Sequence, residues 1–301
     1  MAWQPSWLTF WPSTLVTDLA EALAAAAGAA VAQCTPIGGG HGARHYRAQL
    51  ADGRELFVKE AADDAGIAAL DAEAQGLRWL AEAAAVQVPK IIARHNRTLA
   101  LVYLPAGRSD RAAAERFGRD LARLHAAGAD SFGAPWAGFI ASLPLPNEQA
   151  TSWPSWYAER RLLPYYRLAS DAGMLGAGDL ALIESVANRI GGLSGPAEPP
   201  ARIHGDCWSG NVLWSGGRGW LIDPAAHGGH RESDLAMLAL FGAPYLDRIL
   251  AAYQDVTPLA AGWQTRVPLH QLHPLLVHVC LFGPGYRESA LSAARAALAV
   301  G

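Results

Sequence analysis

The alternation of apolar and polar residues changes along the chain, and the change divides it in two. Before residue 105, short apolar runs of strand type predict strands at 31–37, 43–50, 55–60, 90–93 and 98–104. One longer stretch, 64–85, has apolar residues at helical spacing and predicts a helix. The first part therefore predicts a five-stranded antiparallel sheet with a helix.

The second part begins after the break at Pro105-Ala106-Gly107 and has a mostly helical pattern. Helices are expected at about 110–127, 153–172, 177–192, 231–241, 244–254, 265–281 and 286–299. The sequence thus predicts an α+β protein of two lobes, 1–104 and 105–301, with a hinge near 101–107. A ligand cleft between the lobes is the natural expectation.

Composition narrows the class of partner. The chain is 51% hydrophobic and 17% charged with a net charge of −3, so it is globular and no nucleic-acid partner is expected. The N-terminus lacks a signal-peptide pattern, and the Ala-rich run at 19–32 is too short to span a bilayer. Three widely spaced cysteines suggest neither a disulfide framework nor a zinc site. We expect a cytoplasmic protein without a membrane partner.

Lysine use singles out one position. Of the 24 basic residues only Lys59 and Lys90 are lysine, and Lys59 ends the third predicted strand. Glu73 follows 14 residues later on the predicted helix, with Asp71 as a competing partner. A strand lysine held by a helix glutamate can direct an ammonium group at nucleotide phosphates. Lys59 and Glu73 are therefore predicted to bind a nucleotide.

The segment 204–211 carries the strongest chemical signal. His204, Asp206 and Asn211 have the spacing of a phosphotransferase catalytic loop, in which the aspartate acts as base and the asparagine ligates a metal. A predicted hairpin over 212–222 would return Asp223 beside Asn211, giving two oxygen ligands for Mg²⁺. We expect His204 and Asp234 to support the loop. The alternative is a polar turn between two strands.

Two further features are candidates for binding. Gly38, Gly39 and Gly40 open the glycine-rich turn 38–42, where backbone N–H groups could approach phosphate oxygens, although ordinary hairpins use the same residues. No Gly-Lys-Ser/Thr follows, so this is not a P-loop. Trp208 lies inside the predicted catalytic loop, where an indole face could stack on a sugar.

Longer blocks of sequence resemble a known family. They include Leu56-Phe57-Val58-Lys59, His204-Gly-Asp-x-Trp-Ser-Gly-Asn-Val212, Asp223-Pro224-Ala225 and Gly229-His230-Arg231-Glu232-x-Asp234-Leu235-Ala236-Met237. With these blocks the chain resembles the fructosamine kinase (ketosamine-3-kinase) family, a branch of the protein-kinase-like fold near the aminoglycoside phosphotransferases. The matching sequence blocks are spread over nearly all of the chain after residue 30.

The resemblance implies transfer of phosphate from ATP, with Mg²⁺, to the O3 hydroxyl of a ketosamine, small or protein-bound. It implies that Lys59 and Glu73 orient ATP, that Asp206 is the base, and that Asn211 and Asp223 hold Mg²⁺. Val102, Tyr103 and Leu104 would line the adenine site. Cys207 departs from the leucine that is usual in the family. A kinase of aminoglycosides or choline and a nucleotide-binding pseudokinase remain alternatives, and a monomer is expected.

Overall fold

The structure, a computed structural model, describes residues 15–40 and 42–300, with side chains from residue 20 onward. Two compact units are distinguished within it. The first comprises the chain up to Ala74 together with Pro89–Leu104, and the second comprises Gln75–Val88 and the chain from Pro105 onward. The boundary at Ala74/Gln75 falls inside one helix, α2 (Asp64–Glu82).

The first unit is built on an antiparallel sheet with the strand order β1-β2-β3-β5-β4. Its strands are β1 (Val31–Gly40), β2 (Ala43–Leu50), β3 (Glu55–Ala61), β4 (Ile91–His95) and β5 (Thr98–Val102). All five agree with the predicted strands to within a few residues. The helix α1 (Leu15–Ala27) precedes the sheet and contacts β4.

Alternation along the central strands produces the core of this unit. Leu56 and Val58 on β3 are buried and pack with Tyr46, Ala48 and Leu50 of β2, because every second residue of a strand faces the same side. At the β2–β3 connection Asp52 accepts a hydrogen bond from the backbone N–H of Arg54, as the Asp-Gly turn signal predicts.

The second unit is mainly helical. Besides the C-terminal part of α2 it contains α3 (Arg111–Ala126), α4 (Trp153–Tyr157), α5 (Leu163–Asp171), α6 (Ala177–Leu193), α7 (Arg231–Leu240), α8 (Leu246–Val256), α9 (Trp263–Phe282) and α10 (Arg287–Leu298). Asp110 caps α3 by accepting a hydrogen bond from the N–H of Ala113 at 2.7 Å. The predicted helix at 153–172 is wrong in one respect, because a π-helical turn at Ala158–Leu162 separates α4 from α5. Pro164 follows this turn and lacks the N–H group that a regular helix would need there.

Three short antiparallel pairs complete the second unit. They are β6 (Gly138–Ile140) with β7 (Leu143–Leu145), β8 (Ala201–Ile203) with β11 (His227–Gly229), and β9 (Val212–Ser215) with β10 (Arg218–Leu221). Only the last was predicted. The others have three residues per strand, too few for a period of two to emerge from the sequence.

The predicted α+β class with a five-stranded antiparallel sheet is confirmed. Among the helices of the described residues, none has the length and apolar character needed to cross a membrane.

Candidate active site

Lys59 and Glu73 form a buried ion pair inside the first unit. The Nζ atom of Lys59 lies 2.7 Å from Oε2 of Glu73, and the two residues are only 6% and 9% exposed. Asp71, the competing partner, instead lies 2.9 Å from Nε of Arg94. A short bridge between two desolvated charges fixes the ammonium group in one direction, whereas the second lysine, Lys90, is exposed.

The glycine-rich segment is part of a strand rather than an open turn. β1 continues to Gly40, and Gly39 pairs with Arg44 of β2, so the turn is shorter than predicted. A Cβ on Gly39 would lie 2.7 Å from the carbonyl oxygen of Ala43, and Gly38 has φ = +128°. The hairpin itself therefore requires glycine at both positions, and phosphate binding stays a prediction. His41, within this segment, lies outside the described residues.

The backbone at 102–104 is partly hydrogen-bonded to neighbouring strands of the sheet. The N–H of Val102 donates to the carbonyl of Lys90, and the N–H of Tyr103 donates to the carbonyl of Glu55. The ring of Tyr103 lies under the guanidinium of Arg47, at 4.6 Å. Neither of these two N–H groups is therefore available to hydrogen-bond an adenine base. The N–H of Leu104 and the carbonyl groups of this segment are the backbone groups that could do so.

In the second unit, Asp206 and Asn211 contact each other directly. The Nδ2 atom of Asn211 donates to Oδ2 of Asp206 at 2.8 Å and to the carbonyl of Asp206 at 2.9 Å. The β9–β10 hairpin then returns the chain, since the N–H of Ile222 donates to the carbonyl of Asn211 at 3.1 Å. Asp223 follows immediately, with φ = 53° in the left-handed region. Such backbone strain in a residue other than glycine is common at functional sites.

The surroundings of Asp206 oppose its ionisation. Burial is the largest effect and raises the pKa of its carboxyl group to about 7. The hydrogen bond from Asn211 acts in the opposite direction, while the negative charges of Asp223 and Asp234 raise the pKa further. A carboxylate with a pKa near neutrality is suited to accept a proton at physiological pH.

Asp234 and His204 support the backbone of the predicted catalytic loop, residues 204–211. Asp234 accepts hydrogen bonds from the backbone N–H groups of His204 at 2.7 Å and Gly205 at 3.0 Å. His204 donates through Nε2 to the carbonyl of Ile222 and accepts at Nδ1 from the N–H of Asp206. Asp234 in turn is contacted by Nε2 of His125 at 3.2 Å. His125 had no predicted role, although it contacts the carboxylate that holds the backbone of this loop.

The atoms around Asp206 suit a hard divalent cation. When Asn211 turns its amide nitrogen to Asp206, its Oδ1 atom is left to face a ligand, and Asp223 adds an exposed carboxylate. Mg²⁺ prefers such oxygen donors, and its charge would relieve the repulsion between Asp206 and Asp223. The residues present therefore fit the metal.

A second group of possible ligands fits a metal poorly. His230, Glu232 and His270 bring three ligand atoms within 4.8 Å of one another. Both oxygens of Glu232 already bind the guanidinium of Arg266. A bidentate arginine beside the carboxylate opposes a bound cation, and we interpret this group as a structural ion pair.

Trp208 and Cys207 lie side by side in the loop but differ in environment. Trp208 is 38% exposed, and its ring packs edge-on against Phe241 at 6.0 Å. Cys207 is fully buried among apolar side chains such as Leu121 and Leu235, and burial raises the pKa of its thiol. Cys207 therefore fills apolar space and is not a reactive thiol.

Comparison with known proteins identifies the family. The family model for fructosamine kinase matches residues 15–299, almost the whole chain. The chain belongs to the fructosamine kinase family. The predicted family and the predicted class of enzyme, a kinase, are thereby confirmed.

Relatives of this fructosamine kinase family member cover most of its length. It is 34% identical to a probable ketoamine kinase of Klebsiella aerogenes, over 87% of this chain and 91% of the relative. It is 33% identical to the protein-ribulosamine 3-kinase of Arabidopsis thaliana, over 85% of this chain and 79% of the relative. A solved candidate fructosamine-3-kinase of Thermobifida fusca is 52% identical with a TM-score of 0.89, covering 93% of this chain and 98% of the other.

More distant structures share the fold. The aminoglycoside phosphotransferase solved with gentamicin has a TM-score of 0.64 at 14% identity, over 94% of this chain and 95% of its own. At this identity the likeness shows the fold alone. The predicted protein-kinase-like fold is confirmed.

Proposed function

We propose that this protein phosphorylates a sugar hydroxyl of ketosamines, with ATP as phosphate donor and Mg²⁺ as cofactor. The observation that carries the proposal is the contact of Asp206 with Asn211 within a loop whose backbone is held by Asp234. The relatives, named ketoamine kinase, protein-ribulosamine 3-kinase and fructosamine-3-kinase, supply the substrate class.

The residues of the first unit would bind ATP. Lys59, held by Glu73 at 2.7 Å, presents a fixed ammonium group to phosphate oxygens. The backbone of Gly38, Gly39 and Gly40 would cover the phosphates, and 102–104 would contact the adenine through the N–H of Leu104. We base these roles on the buried ion pair and on the position of the residues in the family motifs.

Asn211 and Asp223 would hold Mg²⁺ through Oδ1 and a carboxylate oxygen. When bound, Mg²⁺ neutralises the negative charge of the transferred phosphate and offsets the repulsion between Asp206 and Asp223. The amide of Asn211 has a second task in this arrangement, because the same side chain orients Oδ2 of Asp206.

Asp206 would accept the proton of the attacking hydroxyl as that oxygen forms its bond to phosphorus. The hydrogen bonds from Asn211 keep the carboxylate in one rotamer, so the hydroxyl meets a positioned base. Trp208, two residues after Asp206 in the chain, is 38% exposed, and we propose that it stacks on the sugar ring or chain. The names of the relatives supply O3 as the phosphorylated position, and ribulosamine and fructosamine as the candidate substrates.

A coupled assay of ADP release tests the proposal. The acceptors are ribulosamine and fructosamine derivatives of lysine, with kanamycin and choline as alternative acceptors. We expect turnover of a ketosamine that falls about 10²–10⁴-fold in Asp206→Asn, the usual contribution of a general base. Asp171→Asn is the control, because Asp171 is exposed at the end of α5.

Other outcomes would contradict the proposal. Turnover of kanamycin or choline alone would exclude ketosamines as the substrate. Equal inactivity of wild type and Asp206→Asn on all acceptors, with ATP still bound, would identify a pseudokinase.

A further inference from the structure

The second unit contains a cavity that lies next to the catalytic loop. Its empty volume is about 410 Å³, part of which is open to solvent. Gly205, the residue before Asp206, forms part of its wall, and the rest combines aromatic rings, histidines, one arginine and small or aliphatic residues. Lining residues that matter here are Trp153, Trp156, Arg161, Gly205, His227 and His273. About 30 Å³ of this space can hold the centre of a water-sized group, which is room for one terminal hydroxyl or hydroxymethyl group and not for a whole small molecule.

Arg161 contributes a hydrogen-bond donor to this cavity. It lies in the π-helical turn, is 1% exposed, and stacks on Trp156 at 4.2 Å. Its Nη2 atom donates to Oδ1 of Asn147 and its Nη1 atom to the carbonyl of Pro146. Its Nε–H group is buried and has no hydrogen-bond partner among the described residues. Because leaving a buried donor unpaired costs free energy, this N–H indicates an occupant that can accept a hydrogen bond.

His227 and His273 contribute acceptors. The Nδ1–H of His273 donates to the carbonyl of Arg161 at 3.0 Å, and the Nδ1–H of His227 donates to the carbonyl of Ala225 at 2.8 Å. In a neutral imidazole this leaves Nε2 as an acceptor on both rings. Burial, followed by the charge of Arg161, lowers the pKa of His273 to about 3 and that of His227 well below its usual value. Nε2 of His273 is buried and likewise has no partner among the described residues.

These atoms restrict the chemistry of the occupant. An anion would face the lone pairs of two neutral imidazoles, and a metal ion would face the guanidinium of Arg161. A hydroxyl group satisfies both requirements, because its oxygen accepts from Arg161 while its hydrogen is donated to an imidazole. The indole and phenol rings of Trp153, Trp156 and Tyr157 add apolar walls that suit the C–H groups of a carbohydrate.

We propose that this cavity binds the hydroxyl-bearing end of the acceptor's sugar chain, beyond the carbon whose hydroxyl is phosphorylated. The proposal rests on the proposed function and deepens it. Gly205 connects the two places, since it lines the cavity and directly precedes the base Asp206. The cavity then sets the preference of the enzyme for sugar chain length, and Arg161, His227 and His273 are its specificity-determining residues.

The test compares chain length and hydrogen bonding separately. Ketosamines with four, five and six sugar carbons on the same lysine derivative are assayed with wild type, Arg161→Lys and His273→Asn. Asparagine can keep the donor to the carbonyl of Arg161 while removing the Nε2 acceptor. We expect KM for the preferred acceptor to rise about tenfold or more in both variants, the usual effect of one lost hydrogen bond in a buried site, with KM for ATP unchanged. The preference among the three chain lengths should shrink.

Arg287→Lys is the matched control, because Arg287 pairs with Asp179 outside the cavity. Unchanged acceptor KM and unchanged chain-length preference in both cavity variants would overturn the proposal. A melting temperature measured for each variant separates loss of binding from loss of folding.

A second measurement does not depend on activity. Titration calorimetry with the four-, five- and six-carbon alditols erythritol, ribitol and glucitol, without ATP, should show binding of at least one to wild type. His273→Asn should weaken that binding about tenfold or more. If no ketosamine is phosphorylated but alditols still bind in this manner, the proposed function fails and the cavity proposal stands. If no alditol binds, or binding is equal in wild type and His273→Asn, the cavity proposal fails.

Discussion

Asn211 donates its amide hydrogens to both the carboxylate and the carbonyl of Asp206, at 2.8 and 2.9 Å. One side chain thereby fixes the rotamer of the base, lowers its pKa and turns an oxygen toward the expected metal. Because one side chain produces all three effects, two different substitutions at Asn211 should separate the effect on the pKa of Asp206 from the effect on metal binding.

Asn211→Ala removes both the donor and the oxygen, whereas Asn211→Asp keeps an oxygen but adds a negative charge. Either change should raise the pKa of Asp206 above about 7, because the hydrogen bond from Asn211 lowers it. The base must be deprotonated, so the acid limb of the kcat–pH profile should move to higher pH in both variants. Only Asn211→Ala should need more Mg²⁺ for half-maximal rate. An acid limb at the wild-type position in both variants would contradict the link.

The Lys59–Glu73 pair should contribute to both stability and nucleotide binding. Removing one partner leaves a buried charge uncompensated, and Lys59→Met or Glu73→Gln should each lower the free energy of unfolding by about 3–5 kcal/mol. The double variant should cost less than the sum of the two. Urea unfolding measures the three values, and ATP binding by calorimetry should weaken in all of them. Lys90→Met is the control, since Lys90 is exposed, and additive losses would contradict a coupled pair.

Close backbone packing of α3 against α8 should make Gly118 irreplaceable. A Cβ at Gly118 would lie 2.2 Å from the carbonyl oxygen of Ile249, which is backbone and cannot move aside alone. Gly118→Ala should therefore destabilise the protein by about 1–3 kcal/mol or more, the usual cost of overpacking. Gly191→Ala on α6 is the matched control, with open space at its Cβ position and a small gain expected from helix propensity. Equal melting temperatures of the two variants would contradict this account.

Burial should keep the thiol of Cys207 unreactive. Its side chain is fully buried and its pKa is raised, so a disulfide reagent should label it only after unfolding. Mass spectrometry of the labelled protein, with and without urea, identifies the modified cysteine. Cys207→Leu should retain turnover and lose this unfolding-dependent label. Rapid labelling of native Cys207 would show that the loop opens.

The sequence predicted the elements whose apolar pattern extends over four residues or more. The strands of the first unit, α2 and the β9–β10 hairpin all appear near their expected bounds because their apolar patterns repeat several times. The three-residue strands β8 and β11 carry no such pattern. The π-helical turn at Ala158–Leu162 also escaped prediction, since helical periodicity continues through it and the signal at Pro164 fits the first turn of a helix equally well.

The candidate site residues around Asp206 were predicted from their spacing within a single segment, whereas the cavity was not predicted. Asp206 and Asn211 are five residues apart, and Asp223 returns through a short hairpin. Arg161, His227 and His273, by contrast, belong to three elements separated by many residues and meet only through tertiary packing. A buried guanidinium among neutral imidazoles has no local sequence pattern, because it arises from the packing of these separate elements.

Buried neutral histidines should make the protein sensitive to mild acid. Burial lowers the pKa values of His204, His227, His230 and His273, so on unfolding below the unfolded pKa of about 6.5 each takes up a proton. Stability contributed by a histidine with a lowered pKa is present above pH 6.5 and is lost as the pH falls below it. Asp206, whose pKa is raised to about 7, acts in the opposite direction because it binds a proton only in the folded state.

Below pH 6.5 the histidines with lowered pKa values take up protons on unfolding and outnumber the single carboxyl, Asp206, that releases one, so the protein takes up protons overall. The free energy of unfolding, measured in urea between pH 7.5 and 5, should therefore fall steeply as the pH is lowered. His273→Asn should reduce the slope by about one proton, or about 1.4 kcal/mol per pH unit. Leu275→Ala on the same helix should lower stability equally at every pH, because it removes apolar contact without removing a titrating group. A slope in His273→Asn equal to that of wild type would mean that His273 is not held neutral in the folded protein.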